Sequence, residues 1–503
     1  MAATKAVQLQ LSSLPEVEEF LSQGTVLPFI NGKYVRPGHG ETFQTVDPGS
    51  GEVLAEVASC GAGEIEQAVQ AAESAFQESL WAKLPPNERA VFLHRLADLV
   101  ERKKDVLTLL ESLDCGKILS QAAADIGNFI TTLRYYADLS VHLQRRSAIA
   151  VSGYEAWRTY HPTGVCAFII PWNFPFLLLG WGIGPALAAG NTVVIKPAED
   201  TPLSSLYLGK LANEVGFPKG VVNVVPGFGV RAGWALANHP RIKRMSFTGS
   251  PEVGRLVGAA CGGNLVPVKL ELGGKGAAVV FDDVEIEETA NKLVAAITLH
   301  TGQVCCTASR WIIHRRIYDS FVSTCSEKLR RLKIGHEMDN QTQMGPVVSS
   351  KQQQRVLGYL RRGQAEGARL LVGGNSVTVP GCEKGCYVEP SLLAATTLEN
   401  VAAREEIFGP VAYLVPFSEK EEAIKLVNAT DYGLGNSVWT NNRELANSVA
   451  ESMVAGNSWI NGHNISVHGI PYAGVNRSGL GGGVLSPETY FDYLRPQSIV
   501  GPL

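Results

Sequence analysis

Three short stretches carry residues that could perform covalent chemistry together. Gly302-Gln303-Val304-Cys305-Cys306-Thr307 offers a thiol, and Leu270-Glu271-Leu272-Gly273-Gly274-Lys275 a carboxylate. Pro171-Trp172-Asn173-Phe174-Pro175 offers an amide held between aromatic rings and prolines. A cysteine can attack an electrophilic carbon, a glutamate can move protons, and an amide N–H can hold a developing oxyanion. Nucleophile, base and oxyanion donor make a workable acyl-transfer set.

Taken singly, each has a plainer reading. A bare cysteine is usually structural, but Thr301-Gly302-Gln303 gives Cys305 a turn-like approach that can expose it. Cys306 is the weaker nucleophile, since neighbours on a strand point to opposite faces. Glu271 lies between leucines, a setting that raises a carboxyl's pKa and suits a base. The competing reading pairs it with Lys269 or Lys275. Asn173 alone would be a turn residue. Its amide could instead join the backbone N–H of Cys305 around an oxyanion.

The elements that must position these groups form two α/β runs. Strand-like runs at Val165 to Ile170, Asn191 to Ile195, Gly220 to Val225 and Arg244 to Phe247 alternate with helical stretches. One such helix is Leu203 to Val215, with Thr201 as N-cap and Pro202 as first residue. That alternation predicts a parallel, doubly wound sheet. A second pattern starts near Ala277, with strands at Ala277 to Phe281, Trp311 to His314 and Val411 to Pro416. Its helices are Ile286 to Leu299, Ile317 to Leu332 and Lys351 to Glu366. Ahead of both runs, Phe29 to Val35 reads as a hairpin around Asn31-Gly32. Two core-facing helices follow, Ala62 to Glu78 and Pro86 to Leu113. Ser147 to Tyr160 suits a projecting ribbon, and Thr489 to Ile499 returns to strand character.

Bulk properties narrow the class. At 503 residues two or three domains are expected. A net charge of -4 with no dense basic tract gives no reason to expect nucleic acid; Arg315-Arg316 and Arg330-Arg331 read as solvated helix ends. The longest apolar run, Phe174 to Ala189, is broken by Pro175, Gly180, Gly182, Gly184 and Pro185, so no membrane span is expected. Met1 to Gln10 lacks the apolar core of a secretory signal. No Arg precedes Arg36, and Glu16, Glu18 and Glu19 are acidic, which argues against a mitochondrial presequence. The nine cysteines lack framework spacing and read as reduced, cytoplasmic thiols. Cys382-x-x-x-Cys386 has no second ligand pair and reads as a loop, so no metal is expected.

In order and rough spacing, PWNFP (171 to 175), KPAED (196 to 200), FTGSPEVGR (247 to 255), LELGGK (270 to 275), GQVC (302 to 305) and EEIFGP (405 to 410) resemble the aldehyde dehydrogenase superfamily. The similarity covers nearly the whole chain. It implies a Rossmann-like dinucleotide domain (1–139 and 161–271), an α/β catalytic domain (272–485) and a small β oligomerisation ribbon (140–160 and 486–503). A homodimer or homotetramer is implied, through a strand added to a neighbour's sheet.

The resemblance also assigns roles. Cys305 would attack the aldehyde carbon to give a thiohemiacetal. Asn173 and the Cys305 amide would hold its oxygen, and Glu271 would activate the water that hydrolyses the thioester. NAD is the implied cofactor. Phe247-Thr248-Gly249-Ser250 resembles the family's dinucleotide turn, although it is not the usual GxGxxG. Lys196 and Glu199 match the adenine-ribose positions, where a carboxylate repels a 2′-phosphate and favours NAD over NADP. Glu406 matches the nicotinamide-ribose ligand and Phe408 the ring packed near it. Trp172 would line the cofactor channel, and Gln352 would touch the second ribose.

For the aldehyde, the analogy gives a tunnel among Phe174, Leu178, Trp181, Val304, Cys306, Asn464, Ser466 and Tyr472. That lining holds no carboxylate, which favours uncharged aliphatic or aromatic aldehydes. Betaine and amino aldehydes are the alternative, held by Trp181 and Tyr472. A CoA-acylating member, a thioesterase and a non-catalytic relative are disfavoured by Glu271, by the nucleotide motifs, and by the presence of both Cys305 and Glu271. Two departures stand out. Many members carry Lys after the tryptophan matching Trp181, where this chain has Gly182. Many continue SG-x-G with Arg-Glu, where this chain has Gly482-Gly483. The proton exit from Glu271 is therefore expected to use water or another route. The role of His300, at a position where Asn is frequent, is open.

Overall fold

The computed structural model describes residues 14–503. The expectations drawn on Met1 to Gln10 lie outside the described residues. Five parallel strands form the heart of the first sheet: β1 (Val165–Ile169), β2 (Thr192–Lys196), β3 (Val222–Val224), β4 (Arg244–Thr248) and β5 (Val268–Glu271). Their order is β5-β4-β1-β2-β3. β1 and β2 are buried at every position, as expected of apolar runs covered on both faces. Helices α1 (Leu119–His142), α2 (Pro175–Ala189) and α3 (Pro251–Gly263) pack around this sheet. The strand order reverses between β1 and β4. In open α/β sheets a crevice opens beyond the carboxyl ends of the strands at such a point.

The predicted hairpin adds Phe29–Ile30 and Lys33–Tyr34 antiparallel beyond β3. Its turn residues Asn31 and Gly32 both have positive φ, 54° and 76°, as a two-residue hairpin turn requires. At the other edge Gly479–Leu480 pairs antiparallel with β5.

The second sheet contains β6 (Gly276–Val280), β7 (Ala308–His314), β8 (Ser391–Ala394), β9 (Val411–Phe417), β10 (Gly435–Trp439) and β11 (Asn457–Ile460). All six are parallel, in the order β8-β9-β7-β6-β10-β11, with Arg369–Val372 antiparallel at the β8 edge. Only Leu272 to Lys275 separates β5 from β6, so the two sheets meet at the motif that carries Glu271. A three-stranded ribbon stands apart: Tyr154–Pro162 pairs antiparallel with Arg146–Ala148 and with Leu494–Pro502. The C-terminal strand is one of its two edges, and Arg146–Ala148 is the other.

Several sequence expectations shift. The helix expected over Pro86 to Leu113 is two, Pro86–Arg102 and Lys104–Cys115, broken at Lys103. Residues 140–142, expected in the ribbon, end α1. The C-terminal strand starts at Leu494, because Pro487–Phe491 is a short helix. The helix Leu203–Val215 has Pro202, not Thr201, at its N-cap. Its first N–H is taken by the Asp114 carboxylate at 2.8 Å, a cap 89 residues away that local pattern cannot reveal. Cys382 and Cys386 lie on a strand, Cys382–Val388, rather than in a loop.

Candidate active site

The loop carrying Cys305 is wound against its own preference. His300, Thr301 and Gly302 have φ of 44°, 54° and 72°, three consecutive left-handed residues of which two are not glycine. Such residues cost about 1–3 kcal/mol each unless the surroundings impose them. Here the surroundings do: the His300 N–H donates to Gln121 Oε1 at 3.0 Å, Thr301 Oγ1 to the Gly345 carbonyl at 2.9 Å, and the Val348 N–H to Gln303 Oε1 at 2.9 Å. Gly302 has no alternative, since a Cβ there would sit 2.2 Å from the Gly409 backbone. Residues 305 and 306 are a turn ahead of β7, not part of it. Both thiols therefore line one cavity, where strand alternation had predicted opposite faces.

The cavity has a volume of about 340 Å³. It brings together Phe174, Leu178, Trp181, Val304, Cys306, Asn464, Ser466 and Tyr472, and Glu271 lies in its wall beside Cys305. The Trp181 and Tyr472 rings lie 5.4 Å apart. One part of the reading needs correcting: the lining does contain a carboxylate. Helix α1 and the segment before it contribute Lys117, Ser120, Gln121 and Asp125. Lys117 and Asp125 form a buried ion pair, and the Lys117 ammonium sits 4.0 Å from the Phe174 ring centre. These residues precede Cys305 by about 180 positions, and no motif flagged them.

Cys305 Sγ lies 3.8 Å from the Tyr472 hydroxyl and against the Cys306 thiol. The interaction between the two thiols pushes Cys305 up, with burial adding to it, and draws Cys306 down. Cys306 is more engaged: its Sγ donates to Asn464 Oδ1 at 3.4 Å and its carbonyl accepts from His463 Nε2 at 2.8 Å. Asn173 is buried, and its amide donates to the Gln303 carbonyl at 3.0 Å, two residues before Cys305. The second N–H of that amide is left for an oxyanion.

Glu271 closes β5 and is 7% exposed, with neither carboxylate oxygen hydrogen-bonded. Burial raises its carboxyl to about 8, against the opposing pull of Lys269. The plainer pairings are not made. Lys275 donates to the Ala402 carbonyl at 2.8 Å, and Lys269 reaches Gly483 and Asp492. The two glycines after Leu272 are there for contact. A Cβ on Gly273 would meet Glu406 Oε2 at 2.2 Å, and one on Gly274 the Cys305 carbonyl at 2.4 Å. Glu271, the Cys305 loop and Glu406 therefore converge on a bare backbone.

At the crevice end, Lys196 is buried at the tip of β2 and holds Glu199 Oε2 at 2.9 Å. Burial opposes ionisation, but Lys196 keeps the Glu199 carboxyl below its ordinary range. Gly249 follows β4, and its N–H donates to the Glu271 carbonyl at 3.1 Å. Ser250 caps α3, accepting from the Val253 N–H at 3.3 Å. A Cβ on Gly254 would meet Leu272 at 2.6 Å, so α3 lies directly against the end of β5, the strand that comes after it. A half-buried carboxylate, a helix N-terminus and small residues suit a dinucleotide.

Glu406 accepts from the Gly274 N–H at 2.8 Å, and burial raises its carboxyl to about 7. The Trp172 and Phe408 rings meet edge to face at 5.2 Å. The Gln352 amide donates to the Phe408 carbonyl at 2.6 Å, so it supports the Glu406 loop. Arg355, which the sequence did not flag, does the same through the Glu406 carbonyl at 2.7 Å. His300 is buried and both its ring nitrogens lack partners; burial keeps it neutral. Asp47, His336 and Glu337 bring three metal-ligand types within reach of one another. However, the Met338 N–H donates to His336 Nδ1 at 3.2 Å, which leaves the ring proton on Nε2, facing Asp47. The imidazole is a donor there rather than a metal ligand.

A parallel sheet whose strand order reverses beside a thiol, a buried carboxylate and an amide fits an oxidoreductase that binds a dinucleotide. Residues 34–499 match the model of the aldehyde dehydrogenase family, and the chain belongs to that family. It is 41% identical over 454 residues to the aldehyde dehydrogenase of Emericella nidulans, covering 90% of each chain. It is 39% identical over 454 residues to the mitochondrial benzaldehyde dehydrogenase of Antirrhinum majus, covering 90% of this chain and 84% of the other. The NAD+ complex of the Bacillus cereus aldehyde dehydrogenase superposes with a TM-score of 0.94 at 39% identity, over 97% of this chain and 99% of the other.

Proposed function

We propose that this NAD-dependent aldehyde dehydrogenase works through Cys305, with Glu271 as base and Asn173 as oxyanion donor, on uncharged aliphatic or aromatic aldehydes. The observation that carries the reading is one cavity holding Cys305 and Glu271 at an apolar wall. Cys305 Sγ adds to the aldehyde carbon as its proton passes to water, leaving the negative charge on the aldehyde oxygen. The free N–H of Asn173 and the backbone N–H of Cys305 hold the oxygen. NAD, when bound, supplies the hydride acceptor; Lys196, Glu199, Gly249, Ser250, Trp172, Glu406 and Phe408 would hold it. Glu271 then takes a proton from water as the water oxygen bonds to the thioester carbon, and the carbon–sulfur bond breaks.

Asp125 does not favour cationic aldehydes, because Lys117 already neutralises it. Relatives differ on this point: the Antirrhinum majus protein is named for benzaldehyde, and a Staphylococcus aureus structure at 31% identity for betaine aldehyde. NADH formation with hexanal, benzaldehyde, betaine aldehyde and succinic semialdehyde is the test. Turnover highest with the first two supports the reading, and preference for betaine aldehyde overturns its substrate part.

Glu199→Gln is expected to lower the preference for NAD over NADP by about tenfold, since it removes the charge that repels a 2′-phosphate. Comparing kcat/KM for the two nucleotides checks this; an unchanged ratio would place the selectivity elsewhere.

The exposed strand Leu494–Pro502 and the apolar Ile149, Val151, Tyr154 and Val500 on the ribbon support a homodimer or homotetramer joined there. Nine free thiols support a reducing compartment, read as the cytoplasm. Among the described residues no helix is long and apolar enough to cross a membrane.

A further inference from the structure

Behind Glu271 lies a second buried charge that the reaction as described does not use. Lys269 stands two residues earlier on β5, so both side chains leave the same face of the strand, about 7 Å apart along it. The Lys269 side chain is 0% exposed. Its Nζ donates to the Gly483 carbonyl and lies 3.0 Å from Asp492 Oδ2. Asp492, 30% exposed, is where this chain of groups reaches water; it also faces Arg244 Nη2 at 3.3 Å.

The gap between Glu271 and Lys269 is bounded by small residues. Ser246 and Thr248 on β4 stand directly opposite Lys269 and Glu271. Ser246, Thr248 and Gly182 all line the catalytic cavity, so the cavity reaches the strand position across from Lys269. A polar pocket with orphaned carboxylate oxygens is where a bridging water is stabilised. No charged side chain approaches from α2 or from the loop after Gly479, where positions 182 and 483 are glycine. A Cβ at 182 would sit 2.7 Å from the Phe168 ring, so that space is already filled.

We propose that Lys269 and Asp492 form the route by which the proton collected by Glu271 leaves the site. This rests on Glu271 being the base of the hydrolytic half-reaction. Glu271 passes the proton through a water in the gap to Lys269 as Lys269 gives one to Asp492, which releases it to solvent. Every group returns to its starting state and one proton leaves. Lys269 acts through Glu271 and is a positioning residue. A buried lysine serving only to tie the 481–483 loop to the sheet would be an expensive tie, because its charge must be desolvated. The opposite tendencies of the two groups fit a hand-over: burial raises the Glu271 carboxyl and lowers the Lys269 amine, bringing their proton affinities together. The charged groups facing Lys269 are Glu271, Asp492 and Arg244; Tyr472 and Lys269 face Glu271.

Two readouts on the full-length enzyme test this. The first separates the burst of NADH, which reports acylation, from the steady state, which reports hydrolysis, across the neutral and alkaline range. Lys269→Met is expected to leave the burst unchanged and lower the steady-state rate about tenfold at neutral pH, with its pH midpoint about one unit higher because a stabilising cation is gone. Asp492→Asn, which keeps the shape of the exit, should slow the steady state with the burst intact. The second readout is the infrared carbonyl band of protonated Glu271, identified by its loss in Glu271→Gln; Lys269→Met should move its titration upward. Unchanged pH midpoints and an unchanged band in both variants would make Lys269 a structural tie and overturn the proposal. Equal loss of burst and steady state at an unmoved midpoint would do the same. Should the wild type give no burst with any aldehyde, the covalent reading falls, and the carboxyl titration still decides the fate of Lys269.

Discussion

Cys305→Ala is expected to reduce NADH formation by at least about 10⁴-fold, the order of loss seen when a covalent nucleophile is removed. Cys306→Ala should keep activity within about tenfold of wild type. The two thiols share a cavity, so position alone does not choose between them. Their bonding does: Cys306 Sγ donates to Asn464 Oδ1, whereas Cys305 Sγ meets only the neighbouring thiol and, at 3.8 Å, the Tyr472 hydroxyl. The backbone agrees. The left-handed turn at residues 300–302 and the glycine contact under the Cys305 carbonyl fix residue 305 from both sides. Stopped-flow absorbance on both variants, with thermal melting to show that each is folded, gives the answer. Activity retained by Cys305→Ala and lost by Cys306→Ala would reverse the assignment.

How legible all this was in the sequence depended on the range of the interaction. β1 and β2 could be read from local runs because full burial on both faces demands continuous apolar sequence. The tunnel residues came together as the family resemblance implied, from segments around 174–181, 304–306 and 464–472. Lys117 and Asp125 escaped notice because their meaning comes only from α1 packing across the cavity mouth. The hydrogen bond from Gln352 to the carbonyl of Phe408, a residue at φ 63°, is one that the sequence does not betray. The same holds for the Asp114 cap, which comes from a partner 89 residues away. Lys269 was visible only as one of two lysines near a glutamate; its burial and its reach to Asp492 belong to the fold.

Glu271→Gln is the second large effect, and it should divide the reaction in two. The burst of NADH should survive, because addition of Cys305 and loss of hydride do not require the carboxylate. Steady-state turnover should fall by about 10²–10⁴-fold, the usual contribution of a positioned general base. The sign of the pH dependence follows from the raised carboxyl. Held at about 8 by burial, Glu271 is mostly protonated at neutral pH and inactive as a base in that form. Wild-type hydrolysis should therefore rise with pH, pass its midpoint at about pH 8 and level off above that. Glutamine cannot titrate, so in the variant that rise should vanish while the burst keeps its own profile. Rapid mixing with benzaldehyde across this range measures both phases in one trace. Loss of burst and steady state together would mean that Glu271 acts before hydrolysis, in activating the Cys305 thiol, whose own surroundings supply no cation to lower its pKa.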